Sequence, residues 1–110
     1  MVVSKDKGYD LITVIVEYGK ANAVVAAAFT AGAQGATIHP ARGVGVRLAL
    51  TGGVDMGIDS DKEMVLVVTD PDITEAVYES MIGTGKLREW GKGFGYVQRV
   101  SRAVGFLKED

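Results

Sequence analysis

Leu11-Ile12-Thr13-Val14-Ile15-Val16 is a run of six apolar or β-branched residues near the start of the chain. This composition predicts a β-strand that is buried on at least one face. The alanine-rich segment 20–31 follows it, with apolar residues at helical spacing, and Gly32 stands where a helix C-cap is expected. The chain therefore opens with a strand and an amphipathic helix.

Four further elements can be predicted in order. Residues 36–42 form a second strand, which runs at a sheet edge because Pro40 cannot donate to a ladder. Residues 63–68 form a third strand. A second helix then starts with Asp70 as N-cap and Pro71 at the first helical position. Residues 94–100 form the last strand. The order β-α-β-β-α-β predicts an α+β, ferredoxin-like sandwich, with residues 1–110 as a single domain.

Residues 43–62 show neither a helical nor a strand period and are predicted to be a long loop. A hairpin between neighbouring antiparallel strands needs only about two to five residues. Long loops in compact domains are usually functional or disordered. We therefore expect a protruding arm that contacts a ligand or a partner, with an insertion of no function as the alternative.

The composition limits the class of protein. The chain has 110 residues, a formal net charge of −2 and no cysteine, so disulfides and thiolate metal sites are excluded. Its pI of about 5.3 argues against nucleic acid as the main partner, because binding to phosphate backbones needs a cationic face. No apolar run is long enough to span a membrane, and the amino-terminal segment does not resemble a signal peptide. A cytoplasmic protein is expected.

The segment from Gly83 to Gly95 contains five glycines and four charged residues among its thirteen positions. Glycine lets a ligand approach the main chain, and consecutive exposed N–H groups form concavities that bind anions. The segment is thus either an anion-binding loop or a mobile connection. It is not a Walker A loop, because Lys86 stands where the first glycine is required and Gly93 follows Lys92.

Two other functions fit parts of the sequence. Lys92-Gly93-Phe94-Gly95-Tyr96-Val97 matches most of an RNA-recognition-motif signature, but that signature belongs on a third strand and here lies on the fourth. An RNA-binding module is therefore one alternative. A small enzyme on a ferredoxin-like fold is the other, although the lone His39 and the scattered aspartates form no catalytic or metal-binding pattern. No metal is expected.

Several motifs occur in the order and spacing of one known family. They are Ile12-Thr13-Val14-Ile15, then Gly35-Ala36-Thr37-Ile38 followed by Gly43-Val44-Gly45, then Thr84-Gly85-Lys86 followed by Gly91-Lys92. With them the chain resembles the P-II family of signalling proteins, and its divergent P-II-like branch most. The resemblance runs from about residue 10 to residue 106. It implies a homotrimeric regulatory protein of nitrogen or carbon metabolism, and not an enzyme.

The resemblance also implies where ligands bind. Adenine nucleotides (ADP, AMP or ATP) are expected in clefts between subunits. Thr37, Gly43 and Gly45 correspond to positions that hold the nucleoside, and Ile15 and Val67 to positions near the base. Gly91 and Lys92 correspond to the phosphate loop, with Gly93 beside them. Residues 46–62 correspond to the arm that contacts a target protein, either a membrane transporter or a metabolic enzyme.

This chain departs from the family pattern at two places. Arg47 stands where a glutamine usually helps to hold magnesium and 2-oxoglutarate, and an arginine attracts anions instead. A small anion such as bicarbonate is therefore a possible second effector. The two arginines that usually complete the phosphate site fall near Gly105 and Leu107 and are missing. Arg88, Arg99 or Arg102 could replace them.

Overall fold

The computed structural model describes residues 8–48 and 54–105. It contains β1 (Tyr9–Glu17), α1 (Ala21–Thr30), β2 (Thr37–Leu48), β3 (Val54–Thr69), α2 (Thr74–Gly85) and β4 (Phe94–Val100). The strands form one antiparallel sheet in the order β2-β3-β1-β4. This arrangement confirms the predicted ferredoxin-like α+β fold. It also confirms that the strand carrying Pro40 lies at a sheet edge.

Side chains of β1 point alternately to the two faces of the sheet, and only one of these faces packs against the helices. Ile12, Val14 and Val16 are fully buried and lie in the hydrophobic core together with residues of both helices. Successive side chains of a strand point to opposite faces. The intervening residues of β1 therefore lie on the face that the helices do not cover. We call this surface the open face of the sheet.

The start of α1 depends on a side chain from β3. Lys20, at the N-cap position, makes no capping hydrogen bond with its side chain. Glu63 Oε1 instead accepts hydrogen bonds from the backbone N–H groups of Gly19 (2.8 Å) and Ala21 (3.0 Å). A carboxylate at a helix N-terminus satisfies otherwise unpaired donors and interacts favourably with the helix dipole. Glu63 therefore joins β3 to the first turn of α1.

The predicted start of the second helix is wrong. The helix begins at Thr74, and residues 70–73 form a turn in which Asp70 Oδ1 accepts a hydrogen bond from the Asp72 N–H at 3.1 Å. The helix starts later because the Thr74 hydroxyl is held by buried partners. It donates to Asp10 Oδ2 at 2.6 Å and lies 2.6 Å from the Thr69 hydroxyl. Tertiary contacts thus fix the first residue of α2.

The predicted long loop at 43–62 is also wrong for most of its length. Positions 43–48 belong to β2 and positions 54–62 to β3, which pair in a hairpin with one register shift between Gly45 and Val46. Residues 49–53 lie outside the described part of the chain. The pairing of β2 with β3 continues from the core into this hairpin through backbone hydrogen bonds, which do not require apolar side chains at alternate positions. A glycine- and aspartate-rich hairpin therefore gives no strand signal in the sequence.

Neither α1 nor α2 is long and apolar enough to cross a membrane, and the described ranges contain no other helix.

Candidate functional site

The glycine-rich segment begins at a closed helix end. Lys86 adopts the left-handed conformation (φ 59°) directly after α2. The Lys86 N–H donates to the Gly83 carbonyl at 3.2 Å, and the Leu87 N–H donates to the Ile82 carbonyl at 3.0 Å. These bonds satisfy carbonyls that the helix end would leave unpaired. The chain therefore leaves α2 in a fixed direction.

Gly93 brings the other end of the segment onto β1. Its φ of 139° lies in a region that L side chains rarely adopt, and a Cβ at this position would overlap the carbonyl oxygen of Ile15. The same Cβ would lie 3.1 Å from the Leu87 side chain. Gly93 is therefore the point at which the loop backbone packs directly against the central strand. The glycine is required here for a close approach of two backbones.

Lys92 is held beside the end of β1. Its Nζ lies 3.5 Å from Glu17 Oε2, and the two side chains are 36% and 39% exposed. Gly91 precedes Lys92 with a φ of 82° and has open space around its Cα. The Lys92 backbone N–H donates to the Glu89 carbonyl at 3.4 Å, so the ammonium group of Lys92 remains as the group that could bind an anion. The predicted residues Gly91, Lys92 and Gly93 thus form one cluster at the end of the sheet.

The predicted nucleoside positions lie on the opposite edge strand. Thr37 opens β2, and Gly43 and Gly45 follow on the same strand, paired with Ser60 and Ile58 of β3. A Cβ at Gly43 would lie 3.2 Å from Cε of Lys62, so the lysine stem crosses this glycine. Strands β3 and β1 separate β2 from β4. A ligand contacting both edges would have to extend across about 14 Å at the usual strand spacing.

Ile15 and Val67 do not share a face of the sheet. Val67 is 1% exposed and belongs to the core beneath the helices, opposite Ile12 in the β1–β3 register. Ile15 alternates with the buried Val14 and Val16 and therefore points to the open face. Within one subunit the two side chains cannot contact the same base.

The candidate replacement arginines already have acidic partners or lie outside the loop. Arg88 pairs with Glu79 of α2 at 3.0 Å. Arg99 Nη1 lies 3.4 Å from Oδ1 of Asp10. Arg102 is exposed and follows β4. These ion pairs hold the guanidinium group of Arg88 against α2 and that of Arg99 against β1. Within the described part of the chain, neither group pairs with a residue beside Lys92.

Arg47 lies on the hairpin, away from the glycine-rich loop. It stands opposite Asp55 in the β2–β3 ladder. It follows Gly45 by two positions on the same strand. Arg47 therefore shares the β2 edge with the predicted nucleoside residues.

Sequence analysis did not identify Glu17 and Lys62 as members of this site. They stand opposite each other in the β1–β3 register, between the glycine-rich loop and β2. Single charged residues at strand ends are common in sequences, and only the strand register brings these two beside Lys92 and Gly43. Among the side chains described, those of residues 8–43 and 61–105, no cluster of three or more histidine, cysteine or acidic residues could hold a metal ion.

The comparisons with known proteins agree with this fold. Residues 9–108 match the model of the family described as nitrogen regulatory protein P-II. The match covers most of the chain, so this protein belongs to the P-II family, which confirms the resemblance found in the sequence. Family membership places it among regulatory signal-transduction proteins. A search of curated protein sequences finds no significant match.

Three solved structures illustrate the structural similarity. B. subtilis GlnK in complex with ATP is 14% identical, with a TM-score of 0.69 over 86% of this chain and 83% of that chain. B. subtilis GlnK is 16% identical, with a TM-score of 0.68 over 86% of both chains. Arabidopsis thaliana PII bound to citrate is 23% identical, with a TM-score of 0.67 over 86% of this chain and 78% of that chain. At these identities the likeness shows a shared fold.

The packing of Gly93 leads to a first prediction, on stability. Gly93→Ala should lower the free energy of unfolding by about 3 kcal/mol or more, because it adds backbone strain and a clash with the Ile15 carbonyl. Gly91→Ala is the matched control. It has a similarly unfavourable φ but open space, so it should cost only about 1 kcal/mol. Urea denaturation of both variants without ligand measures the difference. Equal destabilisation would contradict the proposed close contact.

Proposed function

We propose that this protein is a trimeric P-II regulatory protein, not an enzyme, that binds an adenine nucleotide between subunits. The observation that carries the proposal is Lys92, a half-exposed cation between two glycines of positive φ, fixed against the central strand by Gly93. One of the similar structures, that of B. subtilis GlnK, is a complex with ATP. Thr37, Gly43, Gly45, Ile15 and Val67 are proposed to contact the nucleoside, and Gly91, Lys92 and Gly93 the phosphates.

The signalling step is proposed to involve the hairpin of β2 and β3. Residues 46–62 are proposed to contact the target, a membrane transporter or a metabolic enzyme, and positions 46–48 and 54–62 of this segment belong to the paired strands. A nucleotide changes the population of hairpin states only if it interacts more favourably with one of them. Gly43 and Gly45, at the base of the hairpin, are where such a difference could arise.

Assembly as a trimer has a physical reason in the open face. Phe94 and Tyr96 are 55% and 41% exposed, and their rings stack with centroids 6.1 Å apart. Gly95 between them faces Val14 of the core, so both aromatic rings lie on the open face. Large exposed apolar groups of this kind mark interaction surfaces. We infer that a neighbouring subunit covers them, and not RNA as in the alternative function.

The second prediction concerns this assembly. Light scattering at micromolar concentration should give three times the subunit mass of 11.6 kDa. Tyr96→Asp should shift the protein to the monomer, because it places a charge in the covered surface. Ala26→Asp, at an exposed position of α1 without a large apolar side chain, is the control and should leave the trimer intact. A monomeric wild type, or a trimer that tolerates Tyr96→Asp, would contradict the proposal.

The third prediction tests the nucleotide site. Hydrogen bonds to charged groups contribute about 1.5–3 kcal/mol, so Lys92→Ala should weaken ADP or ATP binding about tenfold or more. Lys20→Ala removes the same charge from the same end of the sheet and should have little effect. Calorimetry measures both variants. Trp90, the only tryptophan and 82% exposed two residues from Lys92, gives an independent fluorescence signal. Absence of nucleotide binding by the wild type would refute the function.

The fourth prediction concerns the second effector. Arg47 in place of a metal-binding glutamine is proposed to recruit a small anion such as bicarbonate, without a metal ion. Nucleotide affinity should therefore respond to bicarbonate and not to magnesium with 2-oxoglutarate, and Arg47→Gln should abolish the bicarbonate response. Isothermal titration of wild type and variant with each addition tests this. Strong magnesium-dependent coupling to 2-oxoglutarate in the wild type would show the opposite.

A further inference from the structure

Three charged side chains cross the end of the sheet between its two edges. Lys92 lies nearest β4, Glu17 ends β1, and Lys62 stands on β3 opposite Glu17. The stem of Lys62 then reaches Gly43 on β2, where a Cβ would lie 3.2 Å from Cε and 3.3 Å from Cγ. The charges alternate in sign along this line. The line connects the glycine-rich loop to the base of the hairpin.

Glu17 is the acidic residue that Lys92 contacts. The other acidic residue nearby, Glu63, binds the start of α1. Glu63 lies opposite Val16 on β3, and its Oε1 accepts two backbone hydrogen bonds at the start of α1. Glu63 therefore stabilises the start of α1 and is not free to move between Lys92 and Lys62. The Glu17 carboxylate makes no such backbone contact among those described, and its side chain is 39% exposed. It can turn without breaking an element of the fold.

We propose that Glu17 is a built-in competitor for the anionic ligand of Lys92. This inference rests on the proposed function of Lys92 as a phosphate contact. In the ligand-free protein a Glu17 carboxylate oxygen lies near Lys92 Nζ, where a phosphate oxygen would otherwise bind. A nucleotide therefore binds by displacing this carboxylate. The carboxylate turns towards Lys62 on the neighbouring strand, and the Lys62 side chain leaves Gly43 to meet it.

The weakness of the Lys92–Glu17 ion pair allows a phosphate group to displace the carboxylate. An ion pair of two partly exposed side chains is weak, whereas a charge-assisted bond to phosphate is stronger and shorter. The nucleotide can therefore displace Glu17, and the competition lowers its affinity without abolishing binding. Because Lys62 crosses Gly43, the displaced carboxylate would also change the charge balance at the base of the hairpin. Phosphate binding would thereby be coupled to the segment that contacts the target.

The test compares ADP affinity in two charge-matched variants. Glu17→Gln removes the competing charge and should tighten ADP binding about two- to fivefold, the range expected from a weak ion pair. Glu75→Gln removes the same charge from an exposed position on α2 and is the control. Calorimetry and Trp90 fluorescence both report the affinity. If Glu17→Gln binds ADP no more tightly than Glu75→Gln, or more weakly than wild type, Glu17 does not compete.

The role of Lys62 has its own test. Lys62→Met keeps the stem over Gly43 but removes the charge that would receive Glu17. It should weaken ADP binding at least twofold in the wild-type background and less in the Glu17→Gln background. Equal effects in both backgrounds would mean that Lys62 acts on ADP directly, and the proposed exchange would be wrong. Absence of ADP and ATP binding by the wild type would instead refute the nucleotide site itself, so the two failures are distinguishable.

Discussion

The contact between Gly93 and the carbonyl of Ile15 is the constraint on which the site depends. Strand β1 is paired on both sides, by β3 and by β4, and it carries the most buried residues of the core. The glycine-rich segment enters β4 at Gly93, directly beside this strand, and only a residue without a side chain fits against the Ile15 carbonyl. This fixes Lys92 at the end of β1. The position of the proposed phosphate contact thus follows from the packing of the sheet.

The charged side chains at this end of the sheet stabilise the fold little. The Lys92–Glu17 pair is more than one third exposed, and such pairs typically contribute about 0–1 kcal/mol. The polar contacts that hold the structure are different ones: the Glu63 carboxylate at the start of α1, and the buried bond from Thr74 to Asp10. The fold therefore does not require Lys92 and Glu17 to stay paired. A weak pair beside a rigid backbone suits a binding site better than a structural role.

The two faces of the sheet have different roles: one forms the core, and the other carries exposed aromatic side chains. One face packs against α1 and α2 and forms the core, which contains Val67. The open face carries Ile15, Phe94 and Tyr96, and the two aromatic side chains are 55% and 41% exposed in the described part of the subunit. Because the Val67 side chain is 1% exposed, a site that uses both Ile15 and Val67 would contact Val67 through its backbone.

The sequence by itself determined the order of elements, the edge position of β2 and the family. Strong local signals carry these features: the apolar run at 11–16, the helical spacing of α1, and the spacing of the glycine motifs. Tertiary structure alone decided the start of α2 at Thr74, the extent of the hairpin, and the meeting of Glu17 with Lys92. The physical reason is that each of these depends on strand register and on partners distant in the chain. Backbone pairing across a sheet places residues together without requiring any particular pattern in the sequence between them.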